Sequence, residues 1–178
     1  DIRALAGKAA RIIAKIECHN GLLNLDSIIA ESDAILIDRG DLAREVPIER
    51  IPQAQKLIVA RAKAHRRKVY VATNLLESMV TSSVPTRAEV NDIFNTLADG
   101  ADGLVLAAET AIGRHPVACA AMVVRLIRDF RNPAELDSLS QPFPSQAEVT
   151  NLGPALSVYV VDNGLKLLNF NTSKRVIP

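Results

Sequence analysis

Residues 34–41 read Ala-Ile-Leu-Ile-Asp-Arg-Gly-Asp. An apolar, β-branched run breaks directly into a charged turn that contains a glycine. The length and composition of Ala34 to Asp38 (AILID) predict a buried strand. Working outward, Arg11 to Glu17 (RIIAKIE), Lys68 to Asn74 (KVYVATN) and Asp102 to Ala107 (DGLVLA) predict three more strands. The segments between them have helical character. Gly21 to Glu31 places Leu22, Leu25, Ile28 and Ile29 on one face. Ile51 to Arg67 predicts a long helix approached by Pro47 and Pro52. Thr86 to Ala98 predicts a helix with a capping box, Thr86 with Glu89, and a stop at Gly100. Pro116 to Phe130 predicts the last helix. Four consecutive βα units suit parallel strands with right-handed crossovers. The fold class is therefore α/β, as half of a TIM (β/α)8 barrel or as a small open sheet. Either arrangement leaves open sheet edges, so an isolated piece is expected to be sticky or dimeric.

The character changes near Asn132. Residues 132–155 are rich in Pro, Ser, Gln and Asn and read as a linker after a domain spanning 1–131. In the remaining stretch, 156–178, Leu156 to Val161 and Leu165 to Phe170 flank Asp162-Asn163-Gly164, the pattern of a β-hairpin with a tight turn. That stretch reads as an unassigned hairpin or the start of an appended domain. At the other end, Asp1 to Gly7 reads as the tail of a helix. There is no initiator methionine, and the chain is expected to be cut from a longer one.

Composition excludes several classes. The 178 residues are 48% apolar, ample for a core, and their net charge of +1 points to neither nucleic acid nor an anionic membrane. No apolar run approaches the roughly 20 residues that span a bilayer, and Asp1 to Arg11 holds no signal-peptide core. The two cysteines, Cys18 and Cys119, lie far apart and outside metal-binding spacings, which fits a reducing, cytoplasmic setting. His19, His65 and His115 are scattered and form no metal pair.

The candidates for chemistry sit at strand ends. Strand alternation puts Ile12, Ala14 and Ile16 on one face and Arg11, Ile13, Lys15 and Glu17 on the other. If the apolar face meets the helices, Lys15 and Glu17 point into the barrel near the rim where such barrels keep their active sites. The competing reading is a surface ion pair on an edge strand. After the second strand, Gly40 permits close backbone approach, and free N–H groups in such a turn can hold an anion. Asp41 is able to join Glu17 as a ligand of a hard cation, since magnesium takes one or two carboxylates. The competing reading is an ordinary turn in which Asp41 caps the next N–H groups. Thr73, ending the third strand, is either a substrate contact or a local cap. Glu109, after the fourth, is either a site acid or a charge favoured by the helix dipole.

Taken in order, Ala14-Lys15-Ile16-Glu17, Arg39-Gly40-Asp41-Leu42, Ala72-Thr73 with Leu76-Glu77-Ser78-Met79, Pro85-Thr86-Arg87-Ala88-Glu89, Asp99-Gly100-Ala101-Asp102 and Glu109-Thr110-Ala111 resemble the pyruvate kinase family. Order and spacing agree from about Arg11 to Phe130. The resemblance implies that the four strands are the fifth to eighth of the family's catalytic barrel. It implies phosphoryl transfer between phosphoenolpyruvate and ADP, giving pyruvate and ATP. Lys15 would stabilise the enolate-like charge, and Glu17 and Asp41 would bind Mg2+ or Mn2+. Backbone N–H groups of Gly40 and Asp41 would receive the substrate carboxylate, and Thr73 would line the pocket. The missing N-terminal barrel half would supply a K+ site, an arginine for the phosphoryl group and a lid domain. Family members are commonly homo-oligomers.

The departures from the family pattern cluster around the same site. Asp38 stands where the family usually has alanine. It is able to repel an anionic substrate, add a metal ligand, or turn outward onto Arg39. Ala107 replaces a serine of the proton relay, and Ala108 the glycine after it. Asn74 replaces a glutamine, Cys18 an asparagine and Ile112 a lysine. These changes imply weakened or retuned catalysis. Two other readings stand beside the kinase: a non-catalytic relative that keeps the half-barrel as a scaffold, and a magnesium-dependent aldolase or lyase acting on pyruvate enolate without nucleotide.

Overall fold

The computed structural model describes residues 2–7, 9–132, 157–162 and 167–171, and of the last two segments only the backbone. The described residues form two compact units. One holds those up to Ala72 together with Asp99–Asp102, and the other holds Thr73–Ala98 with those from Gly103 onward.

The first unit opens with α1 (Ile2–Ala6), which stops at Gly7 where φ is +80°. Strand β1 (Ile13–Ile16) follows, then α2 (His19–Leu23), α3 (Leu25–Glu31), β2 (Ala34–Asp38), α4 (Arg39–Leu42), α5 (Ile51–Ala64) and β3 (Lys68–Ala72). The three strands are parallel, with Lys15 opposite Leu36, Ile16 opposite Ile37, and Asp38 opposite Ala72. Ile16, Ile29, Ile35, Ile37, Ile58 and Val71 are fully buried in its core. β-branched strand residues packed against helix faces are the expected content of a parallel α/β layer.

Two helices differ from the periodicity reading. The helix expected over Gly21 to Glu31 starts earlier, at His19, and breaks at Asn24. There the Asn24 side chain donates to the Asn20 carbonyl at 3.0 Å, and the Ser27 hydroxyl donates back to the Asn24 carbonyl at 2.8 Å. Such local side-chain bonds compete with helix continuation. Helix α5 ends three residues before the expected Arg67, because Arg66 takes a left-handed φ of 56°. The Arg67 N–H then reaches the Ala62 carbonyl and the Arg66 N–H the Lys63 carbonyl, which is a Schellman stop made without glycine.

The second unit contains α6 (Arg87–Ala98), β4 (Gly103–Val105), α7 (Ala108–Ala111), α8 (Pro116–Arg131), β5 (Ser157–Asp162) and β6 (Leu167–Asn171). The capping box of α6 forms as expected. The Glu89 N–H donates to Thr86 Oγ1 at 3.2 Å, and the Thr86 N–H donates to Glu89 Oε2 at 2.7 Å. Leu76, Met79, Ile93, Leu104, Leu106 and Ile127 are fully buried. β5 pairs antiparallel with β4 and with β6, and the β5–β6 register sets Val161 opposite Leu167. These are the two strands of the expected hairpin. The tight turn read at Asp162-Asn163-Gly164 falls largely within 163–166, outside the described residues, as does the linker from 133 onward.

Candidate active site

Parallel strands point their C-terminal ends the same way, so the residues closing β1 and β2 meet at one edge of the first unit. Alternation along β1 buries Ile16 and turns Lys15 and Glu17 to the opposite face. Lys15 Nζ lies 2.5 Å from Glu17 Oε2, 2.8 Å from Asp38 Oδ2 and 3.5 Å from Asp41 Oδ2. One ammonium is thus bracketed by three carboxylates, from the residue after β1, the end of β2 and α4. Arg44 adds an outer contact to Asp41 at 3.4 Å.

The surroundings of the three acids differ. The side chains of Glu17 and Asp41 are 40% exposed, whereas that of Asp38 is 9% exposed. Asp38 closes β2 and caps α4, its Oδ1 accepting the Asp41 N–H at 3.3 Å. The cap of this turn is therefore Asp38, not Asp41, and one of the N–H groups read as an open anion donor is directed at a carboxylate of the chain itself. Asp38 is also buried, not turned outward.

Partial burial pushes the Lys15 ammonium down. Its hydrogen bonds to Asp38 and Glu17, with their charges, more than offset this, so its pKa stands well above the ordinary lysine value. Lys15 is therefore a fixed cation at any physiological pH.

Glu17, Asp38 and Asp41 each offer a carboxylate oxygen, all within 4.8 Å of one another. Hard oxygen donors at that separation suit Mg2+ or Mn2+, which need only one or two protein carboxylates beside water and substrate oxygens. The donor set therefore fits the cation that the sequence motifs imply.

The remaining candidates are placed as follows. Arg39 and Gly40 form the first turn of α4 with Asp41. Thr73 directly follows β3 and takes φ +69°, with Asn74 next at +53°. This reversal ends the strand at Ala72, short of the expected Asn74. A β-branched residue in left-handed backbone is strained, and such strain concentrates at functional sites. In the second unit, Glu109 is 2% exposed. Its Oε1 accepts the Leu76 N–H at 3.0 Å and its Oε2 the Ala107 N–H at 2.9 Å. Both oxygens serve the backbone, so Glu109 holds the turn after β4 in place.

Parallel βα units with a lysine and an acidic cluster at the strand C-terminal ends define an α/β domain with a candidate cation site at one sheet edge. A family model described as the pyruvate kinase barrel domain matches residues 1–120. The chain is 44% identical over 129 residues to pyruvate kinase of Thermotoga maritima, covering 72% of this chain and 28% of that protein. It is 40% identical over 150 residues to pyruvate kinase of Methylorubrum extorquens, covering 84% and 31% respectively. The crystal structure of a pyruvate kinase from Cryptosporidium parvum superposes with a TM-score of 0.65 at 38% identity, covering 76% of this chain and 28% of that one. This chain belongs to the pyruvate kinase family and forms part of its α/β barrel. It spans between about a quarter and a third of the length of these relatives.

Proposed function

We propose that this chain supplies the metal- and enolate-binding half of a pyruvate kinase site, transferring phosphoryl between phosphoenolpyruvate and ADP with formation of pyruvate and ATP. The observation that carries the reading is the convergence of Lys15 with Glu17 and Asp41 at one strand edge. Glu17 and Asp41 would hold Mg2+ or Mn2+. When bound, the cation supplies positive charge that binds substrate oxygens and offsets the charge of the moving phosphoryl group.

The chain's own residues do the rest. Lys15 presents a fixed ammonium to the oxygen on which enolate charge develops, an interaction worth more in the transition state than in the ground state. The backbone N–H groups of Gly40 and Asp41 would receive the substrate carboxylate once it displaces Asp38 from the Asp41 N–H, and Thr73 is a further candidate for a substrate contact. Arg39 acts on the site indirectly, through α4.

The partners implied are phosphoenolpyruvate or pyruvate, ADP or ATP, and a complementary barrel half, which would bring the K+ site. A homo-oligomer in the cytoplasm completes the picture. Among the described residues no helix is long and apolar enough to cross a membrane. Family membership supports the kinase over the scaffold and lyase readings. The test is a coupled assay on the intact polypeptide. Pyruvate formation that requires both phosphoenolpyruvate and ADP supports the reading. Nucleotide-independent carbonyl condensation, or no turnover despite Mg2+ binding, contradicts it.

A further inference from the structure

Asp38 is a charged side chain with only 6% of its surface exposed, and it touches the two kinds of donor that an anionic substrate would use. Its Oδ2 lies 2.8 Å from Lys15 Nζ, and its Oδ1 accepts the Asp41 N–H at 3.3 Å. The side chains of Glu17 and Asp41, by contrast, are 40% exposed and within reach of a hydrated cation. Both oxygens of Asp38 are already engaged from within the chain. Charge counting points the same way. Lys15 with Glu17, Asp38 and Asp41 carries a net charge of minus two. A divalent cation brings this to zero, whereas the same loaded site without Asp38 would carry plus one and attract an anion.

We propose that Asp38 is a specificity-determining residue, an internal carboxylate that competes with the substrate carboxylate for Lys15 and for the α4 backbone. This deepens the kinase reading and rests on it. The site would then discriminate against weakly held anions, admitting only ligands whose several contacts to cation and backbone together displace Asp38. Simple monocarboxylates would bind poorly even with the cation in place.

The test is calorimetric titration of the intact polypeptide with phosphoenolpyruvate at saturating Mg2+, alongside a separate Mn2+ titration. Wild type, Asp38→Ala and Asp38→Asn are compared. Asn keeps the cap on α4 and removes the charge, so it serves if the Ala variant fails to fold. Both variants are expected to bind phosphoenolpyruvate about tenfold more tightly, Ala at least as strongly as Asn, with Mn2+ affinity lowered by less than in Glu17→Gln measured in parallel. Anion affinity that is unchanged or weaker in both variants, while wild type binds in a Mg2+-dependent way, overturns the proposal. So does a fall in Mn2+ affinity as large as that of Glu17→Gln, which would make Asp38 a cation ligand. If no protein binds phosphoenolpyruvate with Mg2+, the kinase reading falls and this proposal falls with it.

Discussion

Lys15 Nζ stands 2.8 Å from the carboxylate of Asp38, and the same ammonium also touches Glu17 at 2.5 Å. A lysine on β1 is thus tied to the residue that follows its own strand and to the end of β2. Its position is set by charge. The Lys15 side chain is 43% exposed, so the pairs contribute orientation more than stability.

Removing that ammonium should separate binding from chemistry. Lys15→Met is expected to lower kcat of the intact enzyme by about a hundredfold or more, the range seen when a single charge-stabilising donor is lost. Mn2+ affinity should be retained or increased, because the three carboxylates lose their internal counter-ion. Steady-state kinetics with a parallel Mn2+ titration checks both halves.

Glu109 should behave as a structural residue. Glu109→Ala strands the buried Leu76 N–H and the part-buried Ala107 N–H. The expected cost is about 1–3 kcal/mol for each N–H left without a partner. A shift in the denaturant midpoint measures it.

The α6 cap should give an acid-sensitive element of stability. Partial burial pushes the Glu89 carboxyl up, but hydrogen bonds from Ser78 and Thr86 prevail and hold it below the ordinary value. A depressed carboxyl stabilises the fold above its unfolded pKa, and that stabilisation is lost as pH falls through the lower, folded value. Glu89→Gln should therefore have a lower Tm than wild type at pH 7. The gap should close as pH drops through the acid range in a circular-dichroism series.

The two thiols should differ in reactivity. Cys119 is fully buried, and burial, with the Glu109 charge, pushes its thiol up to about 11. Cys18 is partly exposed. A thiol reagent at neutral pH is expected to label Cys18 in the native protein and Cys119 only after denaturation. Mass spectrometry of labelled peptides reads the outcome.

Strand placement was legible because each strand is a short β-branched run closed by a polar turn. Ala34–Asp38 matches its expected bounds for that reason. The face of β1 was legible from alternation alone, and it brought Lys15 and Glu17 to the same side. What escaped was backbone conformation. The left-handed Arg66, Thr73 and Asn74 cut helix α5 and strand β3 short, and none of these residue types announces a positive φ as glycine does. The double engagement of Asp38 also escaped, because a cap three residues before the accepted N–H looks the same in sequence as an outward-facing acid. Glu109 could not be separated from an exposed helix charge, since its burial depends on Leu76, which is 33 residues away.

The most direct test of the central claim is a Mn2+ titration of the intact polypeptide followed by electron paramagnetic resonance, comparing wild type with Glu17→Gln and Asp41→Asn. If these two carboxylates form the cation site beside Lys15, each variant binds Mn2+ at least about tenfold more weakly than wild type, since even outer contacts at metal sites carry losses of that size. Equal Mn2+ affinity in wild type and both variants would contradict the account.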